Sequence, residues 1–270
     1  MLYVLLVLLG LFGGFIGGMI GIGGGIIFAP ALLAYFHAIG VPDAHITQLT
    51  LGSSLLSVLI ASISSAWSQH KKKAVLWDVT LVTGGVSAVV ALAATEWIST
   101  QSWYDKKDFQ LVFALVLLLV VVRMMTGRQA EEESRPIRRS GVLMTLTGMV
   151  SGMVSALTGV GGGTILVPAY NRWMHIPLKM ATGTSVGTII ITSGIAMLGY
   201  MWQGQNVPLL PTSFGYVDWA GSCLLAIPAL ISAGWGVEVA HRINTNWLKR
   251  IFALFCTAIC FWLIWSALAG

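Results

Sequence analysis

Two long apolar stretches are each interrupted by a glycine cluster. The first reads Gly21-Ile22-Gly23-Gly24-Gly25-Ile26-Ile27-Phe28-Ala29-Pro30-Ala31. The second reads Gly159-Val160-Gly161-Gly162-Gly163-Thr164-Ile165-Leu166-Val167-Pro168-Ala169. Four glycines within five residues do not hold a regular helix, because each costs about 1 kcal/mol relative to alanine. In lipid, a broken helix persists only where protein or water satisfies the backbone groups it frees. Two such breaks at matching places in two halves of a chain point to the binding site of a transporter.

The surroundings of these breaks are those of a membrane protein. Of 270 residues, 56% are hydrophobic and 9% charged, against about 25% charged in a soluble domain. Apolar runs near 44–67, 74–98, 109–126, 178–202, 213–240 and 247–268 accompany the two broken stretches, 2–37 and 141–175. The N-terminus is apolar from Leu2 onward without a basic leader region, and reads as a retained membrane segment. The net charge of +5 is assigned to cytoplasmic loops rather than to nucleic-acid binding. Cys223, Cys256 and Cys260 lie in apolar segments without nearby histidines or carboxylates, and read as helix-packing residues.

The basic residues order the topology. If each broken stretch is a hairpin that returns to its side of entry, thirteen Lys and Arg residues face the cytoplasm and two, Lys106 and Lys107, face outward. If each stretch crosses once, the split is eight against seven. The positive-inside rule selects the hairpins. The expected fold is an all-α polytopic membrane protein of two inverted-topology repeats, each a glycine-broken hairpin plus three transmembrane helices. The repeats are 1–126 and 141–270, joined by a cytoplasmic linker, 127–140, and both termini lie on the extracytoplasmic side of the cytoplasmic membrane. The first hairpin's shorter arm, about 12 residues, reaches only about 18 Å, so the glycine turns are expected deep in the membrane. Internal similarity agrees. Gly21, Gly23, Gly24, Gly25, Pro30 and His37 recur 138 residues later, while Pro42, Thr47, Thr50 and Ser53 align 135 residues later with Pro177, Thr182, Ser185 and Thr188.

Three sets of residues are candidates for function. The flanking glycines, Gly10-xxx-Gly14-xxx-Gly18 and Gly148-xxx-Gly152, suit close helix packing. The central Gly23, Gly24, Gly25 and Gly161, Gly162, Gly163 precede helices whose first N–H groups lack intrahelical partners, which is the chemistry of an anion site. Two polar clusters follow the hairpins: Thr47, Gln48 and Thr50 in the first half, and Thr182, Thr184 and Ser185 in the second, with Thr164 beside the second turn. Neutral donors hold an oxyanion yet release it; the bland alternative is hydroxyls bonded back to their own helices. The remaining ionisable residues read as peripheral. Asp78 and Asp218 sit beside Trp77 and Trp219 at an interface, and His37 and His175 at helix ends. Trp67, Trp97, Trp103, Trp173, Trp202 and Trp247 fit aromatic belts. No Ser–His–Asp set, carboxylate pair, metal motif or P-loop occurs, so no enzyme, cofactor or direct use of ATP is expected.

The duplicated Gly-(Ile/Val)-Gly-Gly-Gly-x-Ile-x-x-Pro, together with Ala181-Thr182-Gly183-Thr184-Ser185, resembles the TauE/SafE sulfite exporters, also called the TSUP family. The resemblance covers essentially the whole chain. It departs at Thr47-Gln48-Leu49-Thr50, where a sequence closer to Ala-x-x-Thr-Ser is expected. It implies a secondary transporter for sulfite, a small organosulfonate or another sulfur-containing anion. A channel or an uptake permease for the same substrates is the alternative, and a membrane enzyme or redox subunit the more distant one. A monoanion leaving a negative-inside cell gains about 2.3 kcal/mol per 100 mV; proton coupling is compatible with that exit, although no residue marks it. The expected site is one anion between the two glycine turns, contacted by Gly23–Gly25, Gly161–Gly163 and the hydroxyls named above.

Overall fold

The computed structural model describes residues 2–100, 106–126, 136–207, 209–242, 257–261 and 265. The first half contains α1 (Leu2–Ile20), α2 (Gly25–Ala38), α3 (Asp43–Lys71), α4 (Trp77–Thr100) and α5 (Lys106–Thr126). The second contains α6 (Gly141–Thr158), α7 (Gly163–Arg172), α8 (Leu178–Gln203) and α9 (Trp219–Arg242), with a two-residue antiparallel ladder, β1 (Ser213–Phe214) and β2 (Val217–Asp218), before α9. Six of the described helices are long and apolar enough to cross a membrane. A nearly all-helical chain is what lipid demands, because helices satisfy their own backbone groups. The chain is therefore an all-α polytopic membrane protein. Most of the linker, 127–135, and most of the last apolar run lie outside the described residues, as do Trp103, Trp247 and Cys256.

The long apolar helices divide by burial. The most apolar stretches of α3 and α8 are 83% and 72% buried, against 39–44% for the other spans. So α3 and α8 form the centre and the others pack around them. The central pair runs antiparallel. Gly52, near the start of α3, lies against Tyr200, near the end of α8, while Gln69, near the end of α3, meets the same His241 ring that the Lys179 charge reaches from the start of α8.

Each broken stretch folds back on itself. In the first, Gly17 packs on the backbone of Gly23 and Gly24, and Gly13 lies under the Phe28 ring. The Tyr3 and Tyr35 rings close its open end with centroids 6.3 Å apart. In the second, Gly162 packs on Ser151, and the Arg138 N–H donates to the Met174 carbonyl at 2.8 Å. The flanking glycines allow the close approach expected of them. Gly10, Gly14 and Gly18 meet the backbone of α9 at Leu225, Ala229 and Ala233, and Gly148 and Gly152 meet α4 at Thr83 and Ser87. Trp67, Trp97, Trp173 and Trp202 are exposed near helix ends.

Asp218 departs from its expected interfacial place. It is fully buried, because its carboxylate accepts the Gly221 N–H at 2.7 Å and the Thr212 hydroxyl at 2.6 Å, capping α9 from inside the protein. Asp78 remains half-exposed and pairs with Arg139 at 2.9 Å. His37 is exposed at the end of α2, and His175 takes a left-handed φ of 54° that turns the chain toward α8. Cys223 is half-buried, and Cys260 is buried with its thiol against the Ala114 carbonyl at 3.4 Å.

Candidate functional site

The two glycine turns are built alike. Gly23 and Gly24 have φ of 77° and 81°, and their counterparts Gly161 and Gly162 have 81° and 78°. Side chains rarely adopt this region, so only glycine reverses the chain here at low cost. The first bonds of the resumed helices run from the Ile27 N–H to Gly24 and from the Ile165 N–H to Gly162, at 2.9 and 3.0 Å. The N–H groups of Gly24, Gly25 and Ile26, and of Gly162, Gly163 and Thr164, precede those bonds. Neither helix has a side-chain cap, so each N-terminus keeps its positive dipole character.

The turns touch at the centre of the molecule. A Cβ on Gly25 would lie 2.6 Å from the Val160 Cα and 2.8 Å from the Val58 Cγ2. A Cβ on Gly163 would lie 2.8 Å from the Ile22 Cα and 2.7 Å from the Ile189 Cδ1. Val58 is near the middle of α3 and Ile189 near the middle of α8. The junction is therefore level with the middle of both central helices, filled by the apolar side chains of Ile22, Val160, Val58 and Ile189.

Other contacts between the halves also come in pairs. The Ser54 hydroxyl donates to the Gly159 carbonyl at 2.9 Å, and the Ser185 hydroxyl to the Gly21 carbonyl at 2.8 Å. The Asp218 N–H donates to the Ser53 hydroxyl at 2.8 Å, and the Leu76 N–H to the Thr184 hydroxyl at 3.1 Å. Gly159 packs on Leu51 as Gly21 packs on Thr182. These pairs correct the alignment of the polar clusters. Thr182 corresponds in space to Leu51, not Thr47, and Ser185 to Ser54, not Thr50. The shift is 131 residues rather than 135, or one helical turn. The cause is the corner between hairpin and central helix. α7 has 10 residues where α2 has 14, and α8 also begins about a turn later than α3. Seven missing residues are about two turns, one from each arm, which preserves the facing surfaces.

The expected site residues fall into two groups. Thr182 donates to the Lys179 carbonyl at 2.8 Å, while Thr184 and Ser185 make the bonds just given. These hydroxyls are engaged with protein. The oxygens of Thr47, Gln48 (Oε1), Thr50 and Thr164 are buried without a hydrogen-bond partner. Ser62, Ser65, Thr147 and Ser155 are in the same condition, although no sequence motif singles them out. For the two α3 serines the signal was spacing: Thr47, Thr50, Ser54, Ser62 and Ser65 recur at intervals that share one helix face. Among the described residues, no group of three or more His, Cys, Asp or Glu side chains is arranged to hold a metal ion.

Buried helices of crossing length, two glycine turns meeting between the central helices and unpartnered hydroxyls in the interior fit the class that the comparisons give, a multi-pass membrane transporter. A model of the sulfite exporter TauE/SafE family matches residues 6–263, and the chain belongs to that family. It is 27% identical to a probable membrane transporter protein of Methanocaldococcus jannaschii, covering 92% of this chain and 90% of that one. It is 25% identical to a probable membrane transporter protein of Haemophilus influenzae, covering 95% and 96%. It is 23% identical to the probable membrane transporter protein YunE of Bacillus subtilis, covering 94% of each. No solved structure matches it significantly.

Proposed function

We propose that this protein is a secondary transporter that exports sulfite or a small organosulfonate across the cytoplasmic membrane by alternating access. The observation that carries this reading is the meeting of two left-handed glycine turns between the central helices, each opening a helix with uncommitted N–H groups. Fixed N–H dipoles in a low-dielectric interior attract an anion strongly, because bulk water no longer screens them. Buried oxygens of Thr47, Gln48, Thr50 and Thr164 stand unpartnered and supply further polar contacts. The apolar junction at Val58 and Ile189 suits an occluded state. In the transport cycle the halves rock as inverted repeats, the turns part, and the anion sits between Gly23–Gly25 and Gly161–Gly163. Thr182, Thr184 and Ser185 then exchange their present bonds for the substrate. The basic helix ends, with Lys71–Lys73, Arg139, Lys179 and Arg242, lie on the cytoplasmic side, which leaves both termini outside.

Counterflow of labelled sulfite into proteoliposomes tests this. Unlabelled sulfite inside should accelerate uptake from outside. Flux without trans-stimulation would refute alternating access and favour a channel. A thermal-shift screen with sulfite, thiosulfate, sulfoacetate and taurine would rank the substrates, and stabilisation by taurine alone would overturn the anion assignment.

A further inference from the structure

A hydroxyl inside a transmembrane helix ordinarily bonds the carbonyl one turn back. Many here do so: Ser57 to Ser53 at 3.1 Å, Thr158 to Val154 at 2.7 Å, Thr188 to Thr184 at 3.0 Å and Ser193 to Ile189 at 2.6 Å. Four hydroxyls on α3 depart from this habit. Thr47, Thr50, Ser62 and Ser65 are each at most 1% exposed, and none has a partner. Leaving such a group unpaired costs about 1–3 kcal/mol, so four on one helix call for an explanation.

Their placement supplies one. At about 100° per residue, Thr47, Thr50, Val58, Ser62, Ser65 and Gln69 fall within an arc of about 120° on α3. From Thr47 to Gln69 the stripe runs about 33 Å, matching a hydrocarbon core of about 30 Å. The same arc holds Ser54, bonded to Gly159, and the apolar Leu51, Val58 and Ala61; at Val58 the glycine turns meet against Ile189. Ser62 lies one turn beyond this seal, its hydroxyl directed at Gly23; a Cβ on that glycine would be 2.6 Å from the Ser62 oxygen. Beyond Ser65 the stripe ends at Gln69, whose Oε1 is 3.1 Å from the His241 ring, and the charges of Lys72 and Lys179 reach that ring. The corresponding face of α8 carries Ser185 and Ser193, both bonded to carbonyls. The stripe of unpartnered oxygens thus belongs to α3.

We propose that the substrate path follows this face of α3, and that Ser62 and Ser65 form an anion station between the Lys72–Lys179 mouth and the Val58–Ile189 seal. This station is additional to the polar cluster at Thr47–Thr50 on the other side of the seal. The cationic mouth draws the anion in, and two neutral hydroxyls hold it without trapping it. The proposal rests on the transporter reading above for the charge of its cargo, but not for the course of the path.

The test uses the full-length protein with Cys223, Cys256 and Cys260 replaced. Single cysteines are introduced as Ser62→Cys, Ser65→Cys and, as a buried control off the stripe, Ala66→Cys. Each variant is first checked for sulfite counterflow, then treated in sealed vesicles of either orientation. The reagents are anionic sulfonatoethyl methanethiosulfonate and neutral methyl methanethiosulfonate. The expected result is modification at 62 and 65 from the Lys72 side, loss of counterflow on modification, protection by sulfite, and no reaction at 66. Adding Val58→Ala should admit reagent from the opposite side as well. Ser62→Ala with Ser65→Ala should weaken sulfite binding about tenfold or more, the effect of losing hydrogen bonds to a charged group. Inert cysteines at 62 and 65 in variants that still transport, or equal reaction at 66, would overturn the path. Reaction with the neutral reagent alone, without protection by sulfite, would uphold the path and overturn the anion cargo.

Discussion

Replacing Gly25 or Gly163 by alanine isolates the contact between the two turns. Neither residue has a positive φ, and both begin helices, where alanine gains up to about 1 kcal/mol by propensity alone. The contact opposes that gain. The new Cβ of Gly25→Ala would stand 2.6 Å from the Val160 Cα, and that of Gly163→Ala 2.8 Å from the Ile22 Cα. Ordinary carbon contacts are about 3.5–4.0 Å, and the obstacle is backbone, so the turns must part by about 1 Å. Overpacking of this kind costs about 1–3 kcal/mol. Each variant should therefore be destabilised by about 1–2 kcal/mol net and lose its closed junction. The double variant should cost less than the sum, because the first alanine has already separated the turns. Gly85 on α4 is the control. It is exposed, and a Cβ there would meet nothing within 4 Å, so Gly85→Ala should be neutral or stabilising by up to about 1 kcal/mol. Tryptophan-fluorescence melting in detergent reads stability, and sulfite counterflow reads function. Wild-type transport with raised melting temperatures in both Gly25→Ala and Gly163→Ala would refute a tight junction between the turns.

Ser54→Ala and Ser185→Ala each strip a buried turn carbonyl of its donor, and should each cost about 1–3 kcal/mol; a large effect in one and none in the other, by melting, would contradict the paired arrangement. Asp218→Ala removes the cap of α9 and should destabilise by about 0.5–2 kcal/mol, whereas Asp218→Asn, still able to accept the Gly221 N–H, should cost less; equal losses would show that the cap is not the cause. Introduced cysteines at Gln205 and Lys72 should label from the outside and the cytoplasm respectively, and cytoplasmic labelling at Gln205 would reverse the proposed orientation.

Much of this protein was legible one segment at a time. Lipid offers a backbone no partners, so each crossing helix announces itself in its own hydropathy, and the runs near 44–67 and 178–202 became α3 and α8 with ends a few residues away. The glycine turns were legible because reversing the chain with left-handed φ is a local demand. The 138-residue recurrence that placed Gly23 opposite Gly161 carried into space unchanged, since both hairpins kept their length up to the turn. The charge asymmetry along the chain likewise picked out hairpins that fold back.

Tertiary structure decided whatever depends on residues more than a hundred positions apart. Matching prolines and threonines aligned Thr47 with Thr182, but the contacts of Ser54 with Gly159 and of Ser185 with Gly21 set the register one helical turn away. Seven residues removed from a corner leave helix faces in step while shifting every sequence match. Asp218 looked interfacial beside Trp219, yet the β1–β2 ladder folds it inward as a helix cap. Whether a hydroxyl is spent or available is also a tertiary matter. Thr184 and Ser185 resemble Thr47 and Thr50 in sequence, but neighbouring backbone occupies the first two, while the second pair joins Ser62 and Ser65 as unpartnered oxygens on one face of α3. Side-chain chemistry is local, but hydrogen-bond satisfaction belongs to the packed helices together.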